Sequence, residues 1–270
     1  PLSGNREISF DHIEIISRNL KKKIPIKKLD NLPKKLKKQI VLDLKKITSK
    51  KKNFAQFNFQ KTPNIMGVLN LTPDSFSDGG KFNNHKKAKK HILNMIKEGA
   101  NIIDIGGEST RPGSKTVLPN VEWRRIRNVV KTFKKKHFKI CLSIDTRKSD
   151  VMLKALKYRA DLINDVSGFN YENQSLPKLK KYNVAKVLHH MQGTPNTMQN
   201  KPKYKNVLLD IYDFFEKTIN EKFKDKKIIL DPGIGFGKTL KHNLTLISRI
   251  SLFHSLGFPI LVGTSRKRFI

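Results

Sequence analysis

The sequence predicts an α/β fold, a parallel sheet rolled into a (β/α)8 barrel, and three observations predict it. Short, mostly β-branched apolar runs recur at 65–69, 102–105, 140–144, 162–163, 184–188, 228–230 and 260–262. Segments with helix-like apolar spacing lie between them, at 87–98, 121–133, 151–158, 207–223 and 243–256. Strand alternating with helix is the pattern of a parallel sheet. Finally, each of these seven runs delivers polar residues at its C-terminal end. A doubly wound sheet gathers its ligand at one switch point and needs only two or three such ends. A barrel brings all of them to one face.

The runs are apolar at successive positions, as strands covered on both faces require. Their polar ends differ in kind. After 65–69 comes Asn70-Leu71-Thr72-Pro73-Asp74-Ser75-Phe76-Ser77-Asp78-Gly79-Gly80, and the second run carries Asp104 into Gly106-Gly107-Glu108-Ser109-Thr110-Arg111-Pro112-Gly113. The third ends in Asp145-Thr146-Arg147-Lys148 and the fourth in Asn164-Asp165. The last three lead into His189-His190-Met191-Gln192-Gly193, Asp231-Pro232-Gly233-Ile234-Gly235-Phe236-Gly237-Lys238 and Thr264-Ser265-Arg266-Lys267. Residues 1–60 read differently. Helix-like spacing at 13–20 and 36–47 is broken by Pro25, Pro33 and runs of Lys, so this part is expected to be a basic helical extension or linker. Residues 61–270 form the expected barrel domain.

Lys and Arg number 56 against 22 Asp and Glu, a formal charge of +34. The lysines are spread along the whole chain, at 21–23, 50–52, 134–136 and 226–227. A nucleic-acid surface concentrates them and interleaves aromatic residues that stack on bases. Lys, Asn, Ile and Phe are all abundant, so compositional bias explains the charge better than a nucleic-acid partner does. The charge still favours anionic substrates. No apolar stretch is long enough to cross a bilayer, and no signal peptide is recognisable. The single Cys141 excludes an internal disulfide and fits a reducing compartment, the cytoplasm.

No nucleophilic triad is readable. Cys141 lies inside its strand, as a small buried hydrophobe would. His189 and His190 are adjacent, so in a strand they point to opposite faces and make no paired metal site. The segment 233–238 lacks the spacing of a Walker loop. Two strand-end carboxylates, Asp145 and Asp231, an amide, Asn164, and a cation, Lys267, remain. Such a set suits a flat heterocycle bearing several N–H groups, because carboxylates accept and an amide both donates and accepts. Asn70, with the Ser and Gly backbone N–H groups after it, could hold a phosphate or a metal-bound phosphate. Taken singly, Asp145-Thr146 and Asp231-Pro232 read equally well as helix caps or turns.

The two long segments, 70–80 and 104–113, followed in order by Asp145-Thr146, Asn164-Asp165, 231–238 and Ser265-Arg266-Lys267, resemble the signatures of the dihydropteroate synthase family over 62–270. The resemblance implies a (β/α)8 barrel that joins (7,8-dihydropterin-6-yl)methyl diphosphate to 4-aminobenzoate, with Mg2+ as cofactor. It implies that Asp145, Asn164, Asp231 and Lys267 hold the pterin, with Asp145, Asp231 and Lys267 closest to the chemistry. Asn70 would meet the diphosphate and its metal. Phe76, Thr110, Arg111, Pro112 and Phe236 would form the 4-aminobenzoate site. A homodimer with small-molecule substrates, and neither nucleic acid nor membrane as partner, is implied by the same likeness.

Three departures stand out. In the family an eighth strand and helix follow Ser-Arg-Lys and supply an Arg and a His to the diphosphate; this sequence runs to Ile270, so about seven of eight β/α units are expected. His189 stands where the family has Met, and Arg159 where a Gly often ends the preceding helix. The extension is compatible with the tail of an upstream domain, such as a pterin pyrophosphokinase. Two further readings stay open. A pterin-binding domain of the corrinoid-methyltransferase type accounts for Asp145, Asn164 and Asp231 but not for 109–113 or 70–80, and the other is a non-catalytic pterin-binding relative that has lost its last unit.

Overall fold

The computed structural model describes residues 1–5, 7–59, 63–72, 81–111, 113–137, 139–223, 227–265 and 267, with the backbone alone for 81–84. Six strands form one parallel sheet: β3 (Met66–Asn70), β4 (Ile102–Gly106), β5 (Cys141–Asp145), β6 (Leu162–Asp165), β7 (Ala185–His189) and β8 (Ile228–Asp231). They lie side by side in chain order, each joined to the next by a crossover. The helices are α2 (Lys81–Lys97), α3 (Pro119–Lys136), α4 (Ser149–Leu156), the short α5 (Ser175–Leu179), α6 (Val207–Lys222) and α7 (Leu240–Ser248). The seventh expected strand is reduced to a parallel bridge between Leu230 and Ile260. Leu230 N–H donates to Pro259 O at 2.9 Å and Leu261 N–H to Leu230 O at 2.8 Å.

Period-two alternation sorts the strand residues. Leu69, Ile103, Ile105, Leu142, Ile144 and Ile163 face the helices and pack with Ala88, Ile126, Val130 and Met152. Leu188, Ile228 and Leu230 do the same with Ile211, Phe215, Leu246 and Phe253. On the other face Ile102, Cys141, Leu162, Ala185, Val187 and Ile229, all short of the strands' C-terminal ends, make a second, inner core. Cys141 is buried there as a small hydrophobe. Phe54, Phe57 and Phe59, with ring centroids 4.9–5.9 Å apart, close that core from the N-terminal side.

The extension is more than the helical segment or linker expected. The stretch 13–20, read as helix-like, lies in an antiparallel hairpin of β1 (His12–Ile16) and β2 (Lys21–Pro25), with Ile13 opposite Ile24. Two apolar residues meeting across a turn settled by Ser17, whose Oγ accepts from Leu20 N–H at 3.0 Å, outweigh the weak helical spacing. A 3-10 turn at Ile26–Asn31 leads to α1 (Lys34–Thr48), which lies against a second 3-10 turn, Ile250–Leu256. Arg18 donates to Asp210 at 2.9 Å and to Asp213 at 2.5 Å on α6. Arg249 donates to Glu14.

Arg159, just past α4, has φ of 63°. An L-residue in the left-handed region costs about 1–2 kcal/mol, which is why glycine is usual at this point of a helix C-terminus. The side chain is exposed, so nothing in packing is lost by removing it. Arg159→Gly is expected to raise unfolding stability by about 1 kcal/mol, read as a shift of the urea midpoint at constant slope; an unchanged or lower midpoint would show that the left-handed turn is not strained.

Candidate functional site

Sheet register builds the first half of the site. Asn70 pairs with Gly106, Gly106 with Asp145, and Asp145 with Asn164, so these residues form one row across β3, β4, β5 and β6. The row lies at the C-terminal ends of the strands, on the face away from the helices. Gly106 has no side chain here for a steric reason: a Cβ would stand 3.2 Å from Asn70 Oδ1 and 3.2 Å from Asp145 Oδ2. Asn70 is exposed, and no described residue hydrogen-bonds its side chain or that of Asp145.

One row deeper, Asp104 and Ser143 are paired in register. Ser143 Oγ donates to Asp104 Oδ1 at 2.6 Å, and Asn164 Nδ2 donates to Asp104 Oδ2 at 2.9 Å, all three being buried. Asn164 Oδ1 is buried without a partner among the described residues. Burial raises the Asp104 carboxyl, and the two donated hydrogen bonds pull it back. Asp145 is pushed well above the usual carboxylate range, first by desolvation and then by the neighbouring acids Asp104, Glu122, Asp165 and Glu108. Asp165 itself is raised to about 6 by burial, against hydrogen bonds from Ser167.

The second half comes from β7, β8 and the loops beyond them. Asp231 Oδ1 accepts from Gly233 N–H at 2.7 Å. His189 pairs with Asp231 in register, and its Nδ1–H donates to Val166 O at 2.8 Å. That bond fixes the neutral tautomer, and burial lowers the His189 pKa. The ring meets Phe236 edge-on at 4.7 Å, and Lys267 Nζ stands 4.6 Å from the Phe236 ring centroid on a cation–π contact. The loop needs glycine at 233, where φ is 68° and a Cβ would fall 2.0 Å from His190 O.

Behind this loop, His190 turns to the opposite side from His189. Lys238 Nζ donates to Phe236 O at 2.9 Å and to His190 Nδ1 at 3.1 Å. Lys238 is buried, and desolvation lowers it to about 7. His190 is driven well below its usual value by desolvation and then by Lys238.

A buried ion cluster anchors the loop after β4. Lys148 Nζ lies 2.8 Å from Glu108 and 2.6 Å from Glu122, while Arg147 Nε lies 2.9 Å from Glu108. Arg147 also donates to Thr116 Oγ1 at 2.9 Å and covers the Tyr171 ring at 4.1 Å. Burial raises Glu108, but the hydrogen bonds from Arg147 and Lys148 outweigh it and the net shift is downward; Glu122, more deeply buried, stays raised. Thr110 is half-buried and Arg111 exposed at the rim of this loop.

The structure therefore brings Asn70, Asp145 and Asn164 together in one row, and Asp231, Phe236 and Lys267 around another corner of the same rim. Thr110 and Arg111 stand on the flanking loop. Phe76 and Pro112, expected in the site, lie outside the described residues. Sequence reasoning passed over Ser143, Lys238, Arg147 and Lys148, and noted Asp104 only as a strand-end acid. A polar residue two positions before a strand end, on the same face as a candidate ligand, was the available signal. No group of three or more His, Cys, Asp or Glu that could hold a metal occurs among the described residues. Asn70, exposed at the end of β3, is the kind of single oxygen donor that could hold a Mg2+ whose other ligands were waters and substrate oxygens.

The family of pterin binding enzymes matches residues 66–270. A dihydropteroate synthase of Clostridium beijerinckii is 46% identical over 219 residues, 80% of this chain and 78% of that one. Among solved structures, a dihydropteroate synthase from Clostridium difficile crystallised in the presence of pteroic acid is 42% identical, covering 79% of this chain and 80% of its own, with a TM-score of 0.72. That of Xanthomonas albilineans with 4-aminobenzoic acid is 36% identical, covering 77% and 74%, with a TM-score of 0.69. These neighbours share the parallel sheet and its helices.

Two measurements probe the site's electrostatics. Lys148→Met leaves Glu108 and Glu122 buried without their shared cation and is expected to cost about 3–5 kcal/mol of unfolding free energy; a loss under about 1 kcal/mol, the scale of a surface pair, would show that the cluster is solvated. Lys238 gives a pH effect of definite sign. Its pKa is about 7 in the fold and about 10.4 in the unfolded chain, so between these values the unfolded state binds the extra proton. Stability from this group therefore rises with pH, by about 2–3 kcal/mol from pH 7 to 9. Urea unfolding of the wild type and Lys238→Met at both pH values checks it: the variant should lose that rise, and parallel behaviour would refute it.

Proposed function

The chain belongs to the dihydropteroate synthase family, and we infer that it condenses (7,8-dihydropterin-6-yl)methyl diphosphate with 4-aminobenzoate to give 7,8-dihydropteroate and diphosphate. The observation that carries this reading is the row of Asn70, Gly106, Asp145 and Asn164 across four strands, flanked by Asp231 and Lys267. It offers acceptors where a heterocycle has N–H groups, and an exposed amide where its diphosphate would extend.

In this reading Asp145, Asn164 and Asp231 accept hydrogen bonds from the pterin edge. Lys267, held over Phe236, donates to a ring oxygen or nitrogen, and His189 and Phe236 wall the ring. Asn70 holds the diphosphate together with Mg2+, which, when bound, neutralises charge on the leaving group. The C–O bond to diphosphate breaks with the electron pair leaving on oxygen, and the electron-rich ring shares the positive charge left on the methylene. The amine nitrogen then forms the C–N bond and gives up a proton to solvent. No protein nucleophile is required; the protein orients two substrates and accommodates developing charge. Thr110, Arg111, Pro112, Phe76 and Phe236 are assigned to 4-aminobenzoate, with Arg111 as partner of its carboxylate. The proposal includes a homodimer and a cytoplasmic location. A single cysteine, buried and unpaired, supports the latter, and no described helix is long and apolar enough to cross a membrane.

The test is an assay of the full chain with the pterin diphosphate, Mg2+ and 4-aminobenzoate. Equal amounts of dihydropteroate and diphosphate are expected, abolished by EDTA and restored by Mg2+. Asp231→Asn should lower kcat/KM for the pterin by at least about tenfold, the scale of a hydrogen bond to a charged group. Stabilisation by methyltetrahydrofolate with no product formed would replace this reading by a pterin-binding domain of the methyltransferase type.

A further inference from the structure

We propose that Asp104 is a positioning residue that locks the Asn164 amide with its carbonyl oxygen, not its NH2 group, turned to the pterin. The inference rests on the functional reading above and deepens it. Asn164 stands in the ligand row beside Asp145, and an amide in that place could present either end. Three observations remove the choice. Asn164 Nδ2 is spent on Asp104 Oδ2 at 2.9 Å. The other carboxylate oxygen is taken by Ser143 Oγ at 2.6 Å. Asn164 Oδ1 is buried with no partner among the described residues, an arrangement that costs free energy unless something else supplies the hydrogen.

Ser143 makes the lock insensitive to the protonation of Asp104. A carboxylate accepts from both neighbours. If the acid gains a proton, it can sit on Oδ1, because a hydroxyl accepts as readily as it donates, and Oδ2 continues to accept from Asn164. An amide at 143 or an aliphatic residue there would lack this adaptability. The consequence is a one-way recognition element. A ring nitrogen that bears hydrogen satisfies Asn164 Oδ1, whereas a bare ring nitrogen faces it lone pair to lone pair.

The proposal separates Asp104 from a merely structural acid, because it ties one substrate and not the other to this residue. In Asp104→Leu the Asn164 amide is released. The Kd for the pterin is expected to rise about tenfold to a hundredfold, the effect of an unmade buried hydrogen bond, while the KM for 4-aminobenzoate at saturating pterin stays within about twofold. Asp104→Asn should restore tight pterin binding, since its amide oxygen can still accept from Asn164 and its NH2 can donate to Ser143 Oγ. Asp104→Asn combined with Ser143→Ala should lose it again. Equal weakening for both substrates, or an unaffected pterin in Asp104→Leu, would overturn the inference. A readout without ligand guards against variants that do not fold. In the wild-type full chain, the Asn164 side-chain NH2, identified by its absence in Asn164→Ser, should give a downfield amide proton protected from exchange. A rapidly exchanging pair would overturn the lock even if the pterin binds. A wild type that shows the protected proton but no pterin affinity would instead overturn the functional reading.

Discussion

Each strand of this sheet has to change character on one face within two residues, a rise of about 7 Å. Ile102 and Cys141 are part of an apolar core, yet Asp104 and Ser143 stand next along the same face, and Gly106 and Asp145 after them. Everything at the site depends on that compression. The polar groups cannot reach bulk water from the second row, so they must satisfy one another, and Ser143 and Asn164 do so for Asp104. The third row is left to a ligand. Four other acids crowd Asp145, and the two cations nearby, Arg147 and Lys148, are already bound to Glu108 and Glu122. A heterocycle rich in N–H groups relieves this accumulation better than a neutral apolar ligand could.

The same logic sets the two sides of the rim apart. On β4 to β6 the acids dominate and the fold supplies anchoring cations only at the back. On β7 and β8 the cations Lys238 and Lys267 approach a loop of glycines, and it is desolvation that lowers both. Lys238 serves the loop from behind by holding the Phe236 carbonyl, while Lys267 faces the ring of the same residue from the other side. One phenylalanine is thus gripped at its backbone and at its ring by two lysine side chains.

Much of this was legible in the sequence. The alternation of short apolar runs with helices, and the order of polar ends, gave the parallel sheet, and the register then placed Asn70, Asp145 and Asn164 in a row. The hidden features were of three kinds. Ser143 and Lys238 are read as ordinary strand and loop residues until the partners they meet, far off in sequence, are known. The hairpin at 12–25 was masked by a few apolar residues whose spacing fits either period. The run at 260–262 looks like a strand, but its described pairing with β8 is a single bridge, Leu230 to Ile260. Phe76 and Pro112 were readable as motif residues, and their roles rest on the likeness alone.

The aromatic trio of Phe54, Phe57 and Phe59 has a consequence for how the chain is divided. By composition a border runs near residue 60, with a lysine-rich stretch on one side and the sheet on the other. By packing, Phe57 reaches across it, since it belongs to the same apolar cluster as Ile102, Leu162 and Val187. The three rings act as a stopper at the foot of the sheet. Drawn out, they would leave the first row of every strand open to water from below. The end of a stretch that reads as a basic extension in the sequence is, in three dimensions, apolar packing at the foot of the sheet.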